Sequence, residues 1–516
     1  MKINADTTLI EAARRIAPVI REHNGEAERE HHLSRPVLDA LYETGLLRMF
    51  TPRSLGGLEV DPITRALVIE EIAGHDTAAG WTLENPLDWA YLCARLPDEG
   101  AEEIYSGGAN ILIAAQFGRP LNAIPSQDGY RITGRAPFVS NCYDADWIAM
   151  TAMVLEGEQA HQEDQGEPEM VMAYFPREQC QVIDTWNVMG MRGTGSHDIS
   201  VTDVFVPKTR TFPMVPEFEP GSHYQGPLYR FPLVGVGATG IAPVMLAVAR
   251  QAIDYVSELA QGKTPVASST LLRQRASAQA KLAQAEAILR SGRLLLYNIL
   301  SVAWEATVAG ETLSLHQRAD LLLAMTHTVS SATQAVELAY SVAGTSGFRT
   351  DSPLERYFRD TQVLKHHALA AETRYETVGQ VYLGLPLTSR CSRSKLHFVH
   401  LSQCEAKLIG NENPYALHTK GCHAFLTDHL YQCYWRLCTQ LREIAAHRWA
   451  PWGLGPRRPI LSRHNALSCQ GSGMASVQLS GRIPNASMKR CQPEPTDRAA
   501  PSSSSSRSSR CSRSRW

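Results

Sequence analysis

The sequence predicts a mainly helical protein with a β domain set into its middle and an atypical tail at its end. Three observations carry this. Apolar residues recur at helical spacing at both ends of the first 390 residues, and alternation with β-branched runs replaces that spacing between about residues 116 and 225. After Leu385 periodicity fades, in a stretch rich in Cys, Ser and Arg. The expected domains are 1–115 (helical), 116–225 (β), 226–388 (helical) and 389–516 (tail). A chain of 516 residues is longer than one core usually serves, and 44% apolar with 20% charged residues suits a globular body.

In the first domain Leu9, Ala13, Ile16 and Ile20 fall on one helical face. Asp61-Pro62 reads as an N-cap followed by Pro at the first helical position, and Gly74 as the C-cap of the helix it opens. Ser54-Leu55-Gly56-Gly57 reads as a turn. In the second domain Asp128-Gly129 is a turn signal, followed by alternation at Tyr130, Ile132 and Gly134. Trp147 to Val154, Met170 to Phe175 and Ile199 to Val206 read as strands, and 156–169 as a loop. In the third, 271–296 and 313–342 read as long helices. Phe231 to Ala249 carries no charge, but Pro232, Gly235, Gly237, Gly240 and Pro243 interrupt it; it reads as a buried loop running into a core helix rather than a membrane span. The N-terminus has no apolar signal core.

Charge separates tail from body. From Cys391 to Trp516 there are 18 Lys/Arg against 6 Asp/Glu, or +12, while residues 1–390 hold 32 against 46, or −14. An acidic body argues against nucleic acid as the partner, because binding a phosphate backbone needs a basic surface. Only Cys93, Cys142 and Cys180 of the 11 cysteines lie in the body, without paired spacing, which suits a reducing, cytoplasmic setting. In the tail Cys422, His423, His429, Cys433 and Cys438 match no closed zinc motif, so no metal site is expected. The Ser/Arg-rich end is low-complexity, and the tail after about residue 389 is expected to be disordered and dispensable.

No GxGxxG, GxxxxGK[ST], HExxH or GxSxG motif is present, so dinucleotide-fold, P-loop, zincin and α/β-hydrolase readings lose support. Three segments carry polar chemistry instead. Phe138-Val139-Ser140-Asn141-Cys142 places a hydroxyl at a strand end. The stretch 184–196 (DTWNVMGMRGTGS) offers Arg192, Thr194 and Ser196 as donors, with Gly193 and Gly195 permitting close backbone approach to a ligand. Arg356-Tyr357-Phe358-Arg359-Asp360 precedes His366 and His367; on one helix these histidines point about 100° apart, so at most one faces a given pocket. Each segment alone also has a purely structural reading.

In order and context these segments resemble the acyl-CoA dehydrogenase superfamily, and more closely its flavin-dependent monooxygenase branch, the oxygenase components of two-component aromatic hydroxylases. The resemblance covers residues 8–385 and includes LYETGLLRMFTPRSLGG, EEIAGHDTAAGW, GYRITGRAPFVSN, NVMGMRGTGSHDISVTDVFVP and SPLERYFRD. It implies an N-terminal helical domain, a β-barrel-like middle domain and a C-terminal four-helix bundle. A non-covalent flavin, FAD or FMN, is implied between the last two, with its reduced form supplied by a separate reductase and a homodimer or homotetramer sharing the site. Ser140 then sits near flavin N5, with Arg192, Thr194 and Ser196 beside the flavin. Gly344 and Thr345 meet the flavin of the adjacent subunit.

The branch point is the base. Dehydrogenases of the common type carry a Glu shortly after the Arg-Asp pair; here that place reads Ala368, preceded by His367. The monooxygenase branch carries a His where His367 stands, which implies oxygenation of a small aromatic or heterocyclic substrate with His367 handling protons. Glu372 and Glu376 keep dehydrogenation of an acyl-CoA open as the alternative. A helical scaffold that has lost its cofactor is the second alternative.

Overall fold

The structure, a computed structural model, describes residues 5–387 apart from 158, 161–167 and 216–217. The expectations for the tail lie outside the described residues.

Helix α1 (Thr7–Glu30) starts where Asp6 accepts from Thr8 N, buries Ala13, Ile16 and Ile20, and stops at His31, whose φ is 61°. It is followed by α2 (Arg35–Thr44) and α3 (Pro62–Ala73). Asp61 caps α3 by accepting from the amides of Ile63 and Thr64, with Pro62 in the first turn. Gly74 is the C-cap, as expected, but with a right-handed φ of −63°, and the chain passes directly to Asp76, which accepts from Ala79 N and opens α4 (Thr77–Leu92). The short α5 (Asp98–Ile104) closes the first helical layer.

Eight strands follow: β1 (Ile113–Ser126), β2 (Gly129–Val139), β3 (Trp147–Glu156), β4 (Gln159–Ala160), β5 (Met170–Pro176), β6 (Gln181–Ile183), β7 (His197–Pro207) and β8 (Thr211–Pro213). They form one sheet in the order β6-β7-β2-β1-β3-β5-β8, with β4 on β3. β1 and β3 run parallel; the other pairs are antiparallel. The β2–β7 register shifts between Ala136 and Val139, and beyond the shift Val139 pairs with His197. Antiparallel pairing at that point brings the residues just outside the strands, Ser140 and Ser196, side by side.

The remaining described residues are mainly helical: α6 (Leu233–Gly262), α7 (Ala276–Val308), α8 (Leu315–Ala343), α9 (Pro353–Leu364) and α10 (Arg374–Tyr382). α6 packs on α8, and also on α3 and α4 of the first layer. Helix, not loop, fills most of the charge-free stretch 231–249, because its glycines serve packing. A Cβ on Gly240 would lie 2.3 Å from Glu84 Oε2, and one on Gly235 2.3 Å from the Phe231 ring. Here α6 reaches the buried Arg65, whose guanidinium donates to Val236 O and Thr239 Oγ1 at 2.7 Å each and to Glu84 Oε2 at 3.3 Å. Among the described residues α6 alone is long and apolar enough to cross a membrane, and most of its apolar stretch is buried inside the protein. The helix expected from Leu271 begins only at Ala276, after a 3-10 turn at Leu272–Gln274.

Candidate active site

The shift in β2 is built on Phe138, a non-glycine residue with φ 62°, and Asn141 beyond the strand has φ 63°. Asparagine tolerates this region; a bulky aromatic adopts it at a cost. Neighbouring contacts hold the turn: Asn141 N donates to Thr194 O at 2.9 Å, and Thr82 Oγ1 donates to Asn141 Oδ1 at 2.8 Å. With its backbone so held, Phe138 turns its ring outward, 68% exposed, edge-on to Trp186.

Behind it runs a chain of buried hydroxyls. Trp81 Nε1 donates to Ser140 Oγ at 3.1 Å, Ser140 Oγ lies 2.8 Å from Ser196 Oγ, and Ser196 Oγ lies 2.7 Å from Thr194 Oγ1. Thr194 Oγ1 donates to Met191 O at 2.9 Å. A carbonyl can only accept, so this last bond sets the direction of all the others. Thr194 gives its proton to Met191 and accepts from Ser196, which accepts from Ser140. Ser140 therefore spends its own proton inward, and its remaining lone pair is free to accept from a ligand N–H.

His367 packs against Trp81, their ring centroids 5.4 Å apart and the rings steeply tilted, at 69°. It is not on a helix. α9 ends at Leu364, and the amides of His366 and His367 bond three residues back, to Val363 and Leu364, so both histidines lie in a turn between buried Leu364 and buried Ala370. His367 is half-buried and His366 exposed. Ala368, Glu372 and Glu376 are all exposed, and Ser330 Oγ donates to Glu372 at 3.5 Å.

Of the residues singled out by sequence, Ser140, Thr194 and Ser196 thus meet in one chain, with His367 one ring away. Arg192 turns elsewhere: its Nη2 is 2.8 Å from His31 Nε2, and its Nη1 is 3.9 Å from Glu28. Gly344 (φ 56°) and Thr345 form an exposed turn at the C-terminus of α8, where Lys263 Nζ donates to Ser346 Oγ at 2.8 Å. The glycines of the 192–196 loop serve the protein itself. A Cβ on Gly193 would lie 3.0 Å from Ala27 and Ala78, and one on Gly195 2.7 Å from His31 O. Close packing on α1 and α4, not ligand approach, explains them.

Sequence reasoning gave Trp81 no role and named Phe138 and Asn141 only as neighbours of Ser140. Trp81 reads as a core residue of α4; the signal that could have found it is that a buried indole N–H needs an acceptor.

A helical layer and a mixed sheet meet at the hydroxyl chain, and the helical bundle brings His367 against Trp81; a helical layer, a mixed sheet and a helical bundle in this order are the architecture of the acyl-CoA dehydrogenase type. The acyl-CoA dehydrogenase N-terminal and C-terminal domain families match residues 5–93 and 239–372. The chain is 32% identical over 364 residues to indole-3-acetate monooxygenase of Pseudomonas putida, covering 70% of this chain and 90% of that one. It is 28% identical over 387 residues to the flavin-dependent monooxygenase oxygenase subunit HsaA of Rhodococcus jostii, covering 72% and 97%. The fold matches XiaF from Streptomyces sp., solved with FADH2 and glycerol, at a TM-score of 0.68 with 23% identity, over 74% of this chain and 96% of that one. The chain belongs to the flavin-dependent monooxygenase branch of the acyl-CoA dehydrogenase superfamily. It is an oxidoreductase that uses flavin, and the residues present fit that group: an outward aromatic ring beside a buried acceptor suits a planar ring system with an N–H at its edge.

Proposed function

We propose that this protein is the oxygenase component of a two-component system that hydroxylates a small aromatic or heterocyclic substrate, with indole-3-acetate the first compound to test. The observation that carries the reading is the direction of the Ser140–Ser196–Thr194 chain. Bound reduced flavin supplies the two electrons that activate O2; one oxygen atom enters the substrate and the other leaves as water.

The chain's own residues do the rest. Ser140 presents an acceptor, which suits the N–H that flavin carries at N5 only when reduced. Trp81 fixes Ser140 by donating to it and packs edge-on against His367. His367, whose imidazole can give or take a proton near neutrality, is positioned to protonate a departing oxygen or deprotonate a phenolic substrate. Phe138 covers one side and helps to exclude water, which keeps charge interactions inside the site strong.

Acyl-CoA dehydrogenation lacks its base in this arrangement: Ala368 cannot take a proton, and Glu372 and Glu376 face outward. Without a nicotinamide fingerprint the reduced flavin comes from a separate reductase. Gly344 and Thr345, on an exposed turn, and the exposed apolar residues Leu294, Val302 and Val308 of α7 support a homo-oligomer in which one subunit completes the flavin site of the next. The experiment is anaerobic titration of the protein with reduced FAD and FMN, followed by mixing with oxygenated buffer and indole-3-acetate. Micromolar binding of reduced flavin and a product heavier by one oxygen atom are expected. No binding, or bleaching of the oxidised flavin by an acyl-CoA, would overturn the reading.

A further inference from the structure

One stripe of α4 faces the same direction every four residues: Trp81, Asn85 and Trp89. Its two ends are accounted for. Trp81 joins Ser140 and His367, and Trp89 packs its ring against Phe117 of β1, centroids 4.7 Å apart. Asn85, in the middle, is not. Its Oδ1 is buried and has no hydrogen-bond partner, and the neighbouring indole N–H of Trp89 is likewise buried and unpaired.

Buried polar atoms in folded proteins nearly always have partners, and one left over needs an explanation: strain, an ordered water, a catalytic role or a group that binds there. The residue types along this stripe are specific: two indoles, one carboxamide between them in sequence, and, at the Trp81 end, the His367 imidazole packed against the indole. An alkyl chain needs no amide there. A flat ring with one polar hydrogen does.

We infer that Asn85 is a specificity residue, its carboxamide oxygen accepting a hydrogen bond from a ring N–H or phenolic O–H of the aromatic substrate. The assignment rests on the substrate class proposed above and adds to it: the substrate carries a donor on its ring, and that donor sets which ring carbon faces the oxygen source. A site built to pair with a donor discriminates strongly against an analogue lacking it, because its own buried acceptor is then left unpaired.

The test compares indole-3-acetate with benzofuran-3-acetate, which has the same shape and no N–H, and a phenol with its methyl ether. kcat/KM is measured with the full-length protein and externally reduced flavin. The wild type should favour the donor-bearing member of a pair by roughly 10–100-fold. Asn85→Leu should bring that ratio close to one, chiefly by raising KM for the donor-bearing member. Asn85→Gln, which keeps the amide but moves it, should fall between. Reduced-flavin affinity measured on the same preparations shows that each variant is folded. A wild type that treats both members alike, or an Asn85→Leu variant that keeps the ratio, overturns the assignment. A protein that binds reduced flavin yet hydroxylates no member of either pair fails earlier, at the substrate class, and takes the assignment with it.

Discussion

The backbone amide of Met191 donates to Asp360 Oδ1 across 2.6 Å, tying the loop that carries Thr194 and Ser196 to the helix that leads to His367. The other oxygen, Oδ2, is buried without a hydrogen bond, 3.7 Å from Arg356 Nε. Burial raises this carboxyl to about 6, with Arg356 and the Met191 amide opposing the shift.

The sign of the pH effect follows. Between the unfolded value of 3.8 and about 6 the folded protein holds a proton that the unfolded chain has lost. Asp360 therefore contributes stability below this window and loses that contribution as pH rises through it. Asp360→Asn cannot titrate. The melting temperature of the wild type minus that of Asp360→Asn should fall between pH 4 and pH 7, a comparison made by calorimetry; a flat difference would show that Asp360 is ionised throughout.

Ser140→Ala should weaken binding of reduced flavin by about 10-fold while changing binding of oxidised flavin much less, since only the reduced form has the N–H that needs the acceptor. Anaerobic and aerobic titrations measure the two affinities, and an equal loss in both would contradict the direction assigned to the hydroxyl chain.

His367→Ala should keep flavin binding but lower hydroxylation by roughly 10²–10⁴-fold, with peroxide released in place of product. His366→Ala, altering an exposed side chain, should change neither. Product and peroxide are measured together in single turnovers. Equal effects of the two substitutions would move the proton-handling role away from His367.

Gly240→Ala would push a methyl group against Glu84 and Arg65 in the core, and overpacking of this kind typically costs about 1–3 kcal/mol. Gly379→Ala, on α10 with open space around it, should be neutral or slightly stabilising, because alanine is the better helix former. Chemical denaturation of both variants checks the contrast.

The order of elements was legible because period and capping are local: Asp61-Pro62 opens α3 where expected, and the strands at 147, 170 and 199 lie close to their predicted bounds. The misreadings arose where tertiary contacts decide. Glycines in 231–249 look like breakers in sequence but are the clearance that lets α6 lie on Glu84 and Phe231. The turn at His366-His367 contains neither Gly nor Pro to announce it. Of the candidate site, the hydroxyls could be named from motif context. Trp81 could not, because nothing local distinguishes an indole that donates to a buried serine from one that merely fills a core.

The ion pairs around α9 bear on how the molecule comes apart. Arg356 pairs with Asp76 and Glu28, and Arg359 with Glu28 and the carbonyl of Met189, so early, middle and late segments of the chain close on a few side chains. No one of these segments can loosen without leaving charges uncompensated in the other two. Limited proteolysis of residues 5–387 should accordingly lack long-lived core fragments, and a chain cut between β7 and α6 should assemble its flavin site only when both pieces are supplied together.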